Sequence, residues 1–272
     1  MKYACVILLL LCAACVAPAD ELIPGKARGH TNALTPRRFD FSARLPAGME
    51  TSAVMWISDR RYNDDTNDWS LARATNNLVQ GTAAAMPTWT TSGRYYDGTN
   101  DYTYTDGITG TNALNQLTNV ATFAAWIRFQ KTGVGAAIAQ KGDWLGTSQN
   151  AWLFLITTAN KLCFGLDDTT SNVTHNVALH TNEWYHVVAM FDYANKWAAI
   201  YTNGVMGTSN SLGGAIPDSA IRNVFLGVIW SSTGAEQLWF QGNITEPLLF
   251  DRTLNASEAA WLFNARKAAH GY

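Results

Sequence analysis

Apolar side chains recur at every second position through most of this chain, and take up helical spacing only near its C-terminus. Phe123, Ala125, Ile127 and Phe129 share one face of a predicted strand. From Trp184 the alternation continues: Tyr185, Val187, Ala189 and Phe191 point one way, and Trp184, His186, Val188 and Met190 the other. Both faces are largely apolar, so this strand is expected to be covered on both sides. Asp192 to Asn195 supplies turn chemistry, Lys196 to Thr202 a second strand, and Asn203-Gly204 two residues that tolerate positive φ before the return at Val205. Further strands are predicted at 53–57, 136–140, 152–156, 162–166, 173–179 and 224–229, with a strand–turn–strand at 95–102. A long final strand over 238–250 is expected to break at Gly242 or Pro247. One helix closes the chain: Asn255 caps it, Glu258 reaches back, and Ala259, Leu262, Phe263 and Arg266 follow its period. Turn signals at this density predict an all-β, antiparallel two-sheet sandwich with a short C-terminal helix.

The ends and the composition add the cell biology. Lys2 followed by the apolar run Ala4–Leu11 reads as a signal peptide over 1–19, far short of the roughly 20 apolar residues a spanning helix needs. Ala17-Pro18-Ala19 has the small-x-small form that precedes cleavage; alternatively, Cys12-Ala13-Ala14-Cys15 resembles a bacterial lipobox, which would make Cys15 a lipidated N-terminus. Either route exports the protein, to the medium or to a cell surface or outer membrane as a lipoprotein. Residues 20–50, with Pro24, Pro36 and Pro46, read as a tether or arm in which 39–44 adds a strand, and 51–272 as the domain. Of four cysteines only Cys163 survives export unmodified, so no intramolecular disulfide forms, and its apolar neighbours predict a buried thiol. With 47% apolar residues and 11 Trp, the domain is too hydrophobic to be disordered, and a net charge of −2 gives nucleic acid no footing.

Four ordered segments carry a family resemblance. Tyr96-Asp97-Gly98-Thr99-Asn100-Asp101-Tyr102, Phe123-Ala124-Ala125-Trp126-Ile127, the Trp184-x-His186-Val187 strand ending in Tyr201-x-Asn203-Gly204, and Ile244–Phe250 followed by Leu254–Glu258 resemble the signature strands of laminin-G-like and concanavalin A-like jelly rolls. The resemblance implies a jelly-roll fold over roughly 63–266. It leaves function open, because this architecture hosts lectins, adhesion modules, glucanases and virion proteins.

Candidate chemistry therefore has to come from the loops. Glycosidic hydrolysis needs two carboxylates about 5–5.5 Å apart for retention, wider for inversion. The E-x-D-x-x-E pattern of laminarinase-like relatives has no match here, and no nucleophile motif is present, so the chain reads as non-enzymatic. Sugar binding calls for an aromatic face with polar groups around it. Trp144, with Asp143, Gln149 and Asn150, is one such loop, and Trp230 is another. The acidic stretch Asp64, Asp65 and Asp68, joined by Glu246 if the first and last strands are neighbours, is a candidate Ca2+ site, since calcium takes about six to eight oxygens. Asp97, Asn100 and Asp101 are better explained by their own turn. His186, inside an apolar strand, is read as a hydrogen-bonded core histidine, and Trp126, Trp152, Trp184 and Trp197 as packing. The leading reading is an exported recognition module that binds a carbohydrate or a cell-surface protein and meets membranes only through a lipid anchor. The alternatives are a structural decoration or appendage subunit of a virion or cell surface, and a glycoside hydrolase with atypical carboxylates.

Overall fold

The computed structural model describes residues 45–56, 67–68, 78–80, 85–105, 114, 117, 119–143, 149–166, 171–212, 223–230 and 236–272. Their strands are β1 Ala53–Trp56, β2 Asn67–Asp68, β3 Leu78–Gln80, β4 Thr88–Thr90, β5 Gly93–Asp97, β6 Thr103–Thr105, β7 Val120–Phe129 and β8 Ala136–Asp143. The series continues with β9 Gln149–Ile156, β10 Lys161–Leu166, β11 Ser171–Ala178, β12 Tyr185–Asp192, β13 Trp197–Thr202, β14 Val205–Ser211, β15 Val224–Leu226 and β16 Gln241–Phe250. A single helical turn, α1 (Ala47–Glu50), opens the fold, and α2 (Ala256–Arg266) closes it before a 3-10 turn at Lys267–His270.

Two antiparallel sheets result, as the alternation predicts. The first runs β14-β13-β12-β7-β16-β5-β4, with β1 also beside β16; the second runs β11-β10-β9-β8-β15-β6-β3-β2. The inward faces of β7 and β12 present Phe123, Ala125, Ile127, Phe129, Val187, Ala189 and Phe191 to Phe154, Phe164, Val224 and Leu226 of the second sheet. Phe123 meets Phe154 edge-on at 6.1 Å, and Phe164 stacks on Phe191 at 5.9 Å across the interface. At about 1.5–3 kcal/mol per buried side chain this layer dominates the stability. The opposite faces of these strands, through Ala124, Val188 and Met190, join Tyr201 of β13 and Phe250 of β16 and pack with Ala259 and Leu262 of α2. That second layer is why both faces of the 184–191 pattern are apolar.

The turns behave as their residues require. Asn203 and Gly204 sit at φ 52° and 77°, closing the β13–β14 hairpin. Asp192 Oδ1 accepts from Asn195 N at 3.0 Å, and Asn255 and Glu258 form a reciprocal capping box at the start of α2. The Arg252 guanidinium donates to both Glu258 carboxylate oxygens and to Ser52 Oγ, tying the helix cap to the N-terminal turn.

Three expectations are corrected. Residues 45–50 do not belong to a tether: Leu45 and Met49 are buried beneath α2 as part of the second core layer. The final strand does not break. β16 runs unbroken through Gly242, where φ is 133° and a Cβ would stand 2.0 Å from Arg128 O, and it absorbs Glu246-Pro247 as a bulge with Glu246 at φ 53°. Cys163 is not a core residue; it alternates with the buried Leu162 and Phe164 and is half-buried, its sulfur accepting from Thr174 Oγ1 at 3.5 Å while burial pushes the thiol pKa up. The predicted signal peptide, Cys15, and the arm up to residue 44 lie outside the described residues.

Candidate functional site

With α2 covering the first sheet, the outward face of the second sheet is where side chains become available. Val224 and Leu226 face the core, so Phe225 between them points outward. It pairs with Tyr104 of β6 on one side and Gln140 of β8 on the other. Five rings gather on this face. Tyr104 stacks on Phe225 at 5.9 Å, Tyr102 lies 6.1 Å from Tyr104 and 6.3 Å from Phe225, and Trp239 lies 6.2 Å from Tyr102. Trp230 lies flat on Phe225, with ring centroids 4.8 Å apart and planes 8° from parallel. Phe225 is buried by these neighbours, whereas Tyr102, Tyr104, Trp230 and Trp239 are each half-exposed.

The row is held rigidly from below. Gln140 is fully buried; its Oε1 accepts from Trp230 N at 2.8 Å, and its Nε2 donates to Gly142 O at 2.9 Å and to Trp230 O at 3.3 Å. One amide thus satisfies the backbone on both sides of Trp230 and ties it to the β8–β9 hairpin. At the other end, Leu238 O accepts from Ala137 N at 2.7 Å, and Phe240 N donates to Gly227 O at 2.9 Å, which fixes Trp239 between them. Gly227, at φ 83°, is required here: a Cβ would meet the Tyr96 ring at 2.5 Å. Burial first, then the charges of Tyr104 and Glu236, push the Tyr102 phenol pKa up, so it stays a neutral hydrogen-bonding group at physiological pH.

The predicted binding residues are partly united by this arrangement. Trp230 is in the row. Asp143 pairs with Gln149, and Asn150 with Gly142, at the end of the β8–β9 hairpin that Gln140 joins to Trp230. Trp144 lies outside the described residues. Sequence reasoning missed Tyr102, Tyr104, Phe225 and Trp239, although the alternation of Tyr102 and Tyr104 was available as a signal.

The proposed calcium set is described at Asp68 and Glu246, which belong to different sheets. Asp64 and Asp65 lie outside the described residues, and Asp68 belongs to β2 at the edge of the second sheet, whereas Glu246 belongs to β16 of the first. β1 and β16 are neighbours as expected, but the Glu246 carboxylate is engaged by Arg266 of α2, both oxygens accepting from Nε at 2.9 and 3.0 Å. Glu246 is therefore removed from the metal set, and among the described residues no three His, Cys, Asp or Glu are grouped to hold an ion. The 97–101 segment is a turn, as its residues suggest: Asp97 Oδ1 accepts from Thr99 N and Asn100 N, and Asp101 Oδ2 from Asp97 N.

His186 is a core histidine but not a hydrogen-bonded one at Nδ1, which is buried with no partner. Its ring packs on Trp126 and Phe263, and burial followed by the nearby His270 pushes its pKa down to about 3. His270 stacks on Trp126 at 4.0 Å, and burial, then Arg266, pushes it down to about 3 as well. This neutral cluster lies under the C-terminal turn, where Tyr272 hydrogen-bonds Trp184 O and Asn203.

Comparison with known proteins agrees with this fold. The family Laminin_G_3, described as the Concanavalin A-like lectin/glucanases superfamily, matches residues 97–260. A search of curated proteins gives no match. Among solved structures, a Trypanosoma rangeli sialidase mutant displaying trans-sialidase activity superposes with a TM-score of 0.62 at 16% identity, covering 84% of this chain and 34% of that one. A structure of botulinum neurotoxin type C, whose cell entry is dependent upon interaction with two ganglioside molecules, superposes at 0.58 and 13% identity, covering 80% of this chain and 52% of that one. The binding domain of serotype C1 gives 0.58 at 14% identity, with 80% and 53% covered. This chain thus spans about a third of the sialidase and half of the neurotoxin structures, and identities this low establish a shared fold.

Proposed function

The chain belongs to the concanavalin A-like lectin/glucanase superfamily, and from that membership we propose that it is an exported, non-catalytic module that binds a glycan across the outward face of its second sheet. The observation that carries this reading is the row Tyr102, Tyr104, Trp230 and Trp239, four half-exposed rings gathered on the buried Phe225 and fixed by a buried amide, with tyrosine hydroxyls among them. Flat apolar rings match the C–H faces of a pyranose, and the hydroxyls supply the polar contacts that orient it. Several carboxylates that might have served hydrolysis have structural duties, Glu246 with Arg266, Glu258 with Arg252, and Asp97 and Asp101 in their turn. The ganglioside interaction of the neurotoxin lends general support only, since it belongs to a protein about half of whose structure shares this fold. Export rests on Lys2 and the apolar run after it, with Cys15 as the anchor if the lipobox-like reading holds.

The test is a glycan array and polysaccharide retention assay with the parent protein, Trp230→Ala and Trp239→Ala. Each substitution is expected to weaken binding about thirtyfold, the ~2 kcal/mol of a hot-spot aromatic, with the β-sheet circular dichroism unchanged. A parent protein that binds no glycan defeats the proposal. Repeating the assay in EDTA addresses Asp64, Asp65 and Asp68: unchanged binding assigns recognition to the aromatic row alone, and lost binding brings a calcium ion into it.

A further inference from the structure

We infer that residues 267–272 form an acid-released latch, which comes off the first sheet and bares Trp126 while the sandwich itself stays folded. The inference concerns the first sheet and does not depend on the glycan reading. The latch is pinned mostly by rings. His270 stacks on Trp126 with centroids 4.0 Å apart and planes 18° from parallel, and its ring lies 4.6 Å from that of Trp184. Tyr272 sets its ring edge-on to Phe263 at 5.3 Å, and its hydroxyl accepts from Asn203 Nδ2 and donates to Trp184 O. Beneath them Trp126 and His186 are buried. Helix α2 is anchored separately, by Ala259 and Leu262 in the second core layer and by its capping box, so the turn can leave without it.

The closed arrangement accepts these two imidazoles only as neutral rings. His186 Nδ1 and His270 Nε2 are both buried without a hydrogen-bond partner. A proton on either ring would be a charge in an apolar site with nothing to accept from it. The charged groups around the pair do not help. On α2 and the turn, Arg266 repels a charge on His270, and Lys267 holds its Nζ 5.8 Å from the Phe263 ring. On β7, Arg128 shares the face of Trp126 by alternation. The acids are committed elsewhere: Glu246 of β16 to Arg266, and Glu183, ahead of β12, to the Tyr185 hydroxyl. Strands β13 and β14 and their turn bring no charged side chain. The Tyr185 and Tyr272 phenols are pushed up by burial and stay neutral in acid.

Both histidines are accordingly pushed down from 6.5 to about 3, first by burial and then by His270 in the case of His186 and by Arg266 in that of His270. Once open, His270 is in water and titrates near 6.5, so falling pH favours the open state. The latch keeps its full hold above pH ~6.5, and below it His270 multiplies the open-to-closed ratio by up to ~10 per pH unit. Between pH 7 and 5 that is about twentyfold from His270 alone, and up to several hundredfold if His186 is fully wetted by the opening.

Hydrogen exchange of the full-length protein at pH 7, 6 and 5, corrected for the intrinsic pH dependence of exchange, reads the latch through the amides of Gly271 and Tyr272, which both donate to Lys267 O. Their protection is expected to fall at least about twentyfold between pH 7 and 5, while the amides of β9 and β10 keep theirs and the circular dichroism is unchanged. His270→Phe, which keeps a ring against Trp126, is expected to remove about twentyfold of that fall. Amides unprotected already at pH 7, or protected to the same degree at every pH, overturn the inference. So does a loss shared equally by β9 and β10, since the histidines would then report unfolding of the whole domain. A His270→Phe protein with the parent's full pH response overturns it as well. Should that variant not fold, the two sets of amides in the parent decide alone.

Discussion

At the scale of single residues, local partners are legible in a sequence and distant ones are not. Asn255 and Glu258 lie three positions apart, so their capping box can be read directly. Glu246 and Arg266 are separated by 20 residues and meet because α2 folds back over the first sheet. A reader of the sequence sees a free carboxylate and offers it to calcium. The consequence is testable: Arg266→Ala takes the guanidinium away from a nearly buried carboxylate and is expected to cost about 3–5 kcal/mol in urea unfolding, while Glu246→Gln, which removes the charge, costs less. The two histidines under the C-terminus make a pH prediction. Both have folded-state pKa values lowered to about 3 from 6.5, so the unfolded chain binds protons that the folded one refuses. Their contribution is fully present above pH ~6.5 and is lost as pH falls from there toward 3, at up to ~1.4 kcal/mol per pH unit for each. Urea midpoints at pH 7, 6, 5 and 4 are expected to decline accordingly. His270→Phe, which keeps a ring against Trp126, is expected to remove about half of the histidine-linked slope.

Elements whose information is local came through the sequence intact. The β12–β13–β14 meander was legible because alternation, Asp192 and Asn203-Gly204 all specify one register. The aromatic row was not, because its five rings come from four separate segments and only sheet order brings them together. Trp230 alone was legible, as a ring on a polar turn; the others looked like strand residues to be packed. β16 misled for a different reason: glycine and proline usually end strands, whereas here each serves a close approach or a bulge within one. Gly242→Ala tests that account. With φ at 133° and a methyl carbon 2.0 Å from Arg128 O, the substitution is expected to cost more than ~3 kcal/mol and to lower soluble yield, well beyond the ~1 kcal/mol typical of point mutations.

For the molecule as a whole, the two outward faces have different fates. The first sheet carries a second apolar layer that α2 and the 45–50 turn cover, while the second sheet presents rings to solvent over a buried amide. The proposed recognition face therefore lies on the side of the sandwich away from the helix-covered layer, and the two roles should be separable. Ending the chain after Thr253 exposes Val188, Met190, Tyr201 and Phe250 together with the Trp126–His186 cluster, so the shortened protein is expected to bind a hydrophobic dye and to aggregate on mild warming. Trp230→Ala, on the far side, is expected to keep its melting temperature within a few degrees and to lose glycan binding. A truncated protein that remains monomeric and dye-negative would mean that the first sheet does not depend on its helix. A Trp230→Ala protein that unfolds with its binding would mean that the row is a third layer of core, because a ring buried for stability and a ring displayed for a ligand respond oppositely to removal.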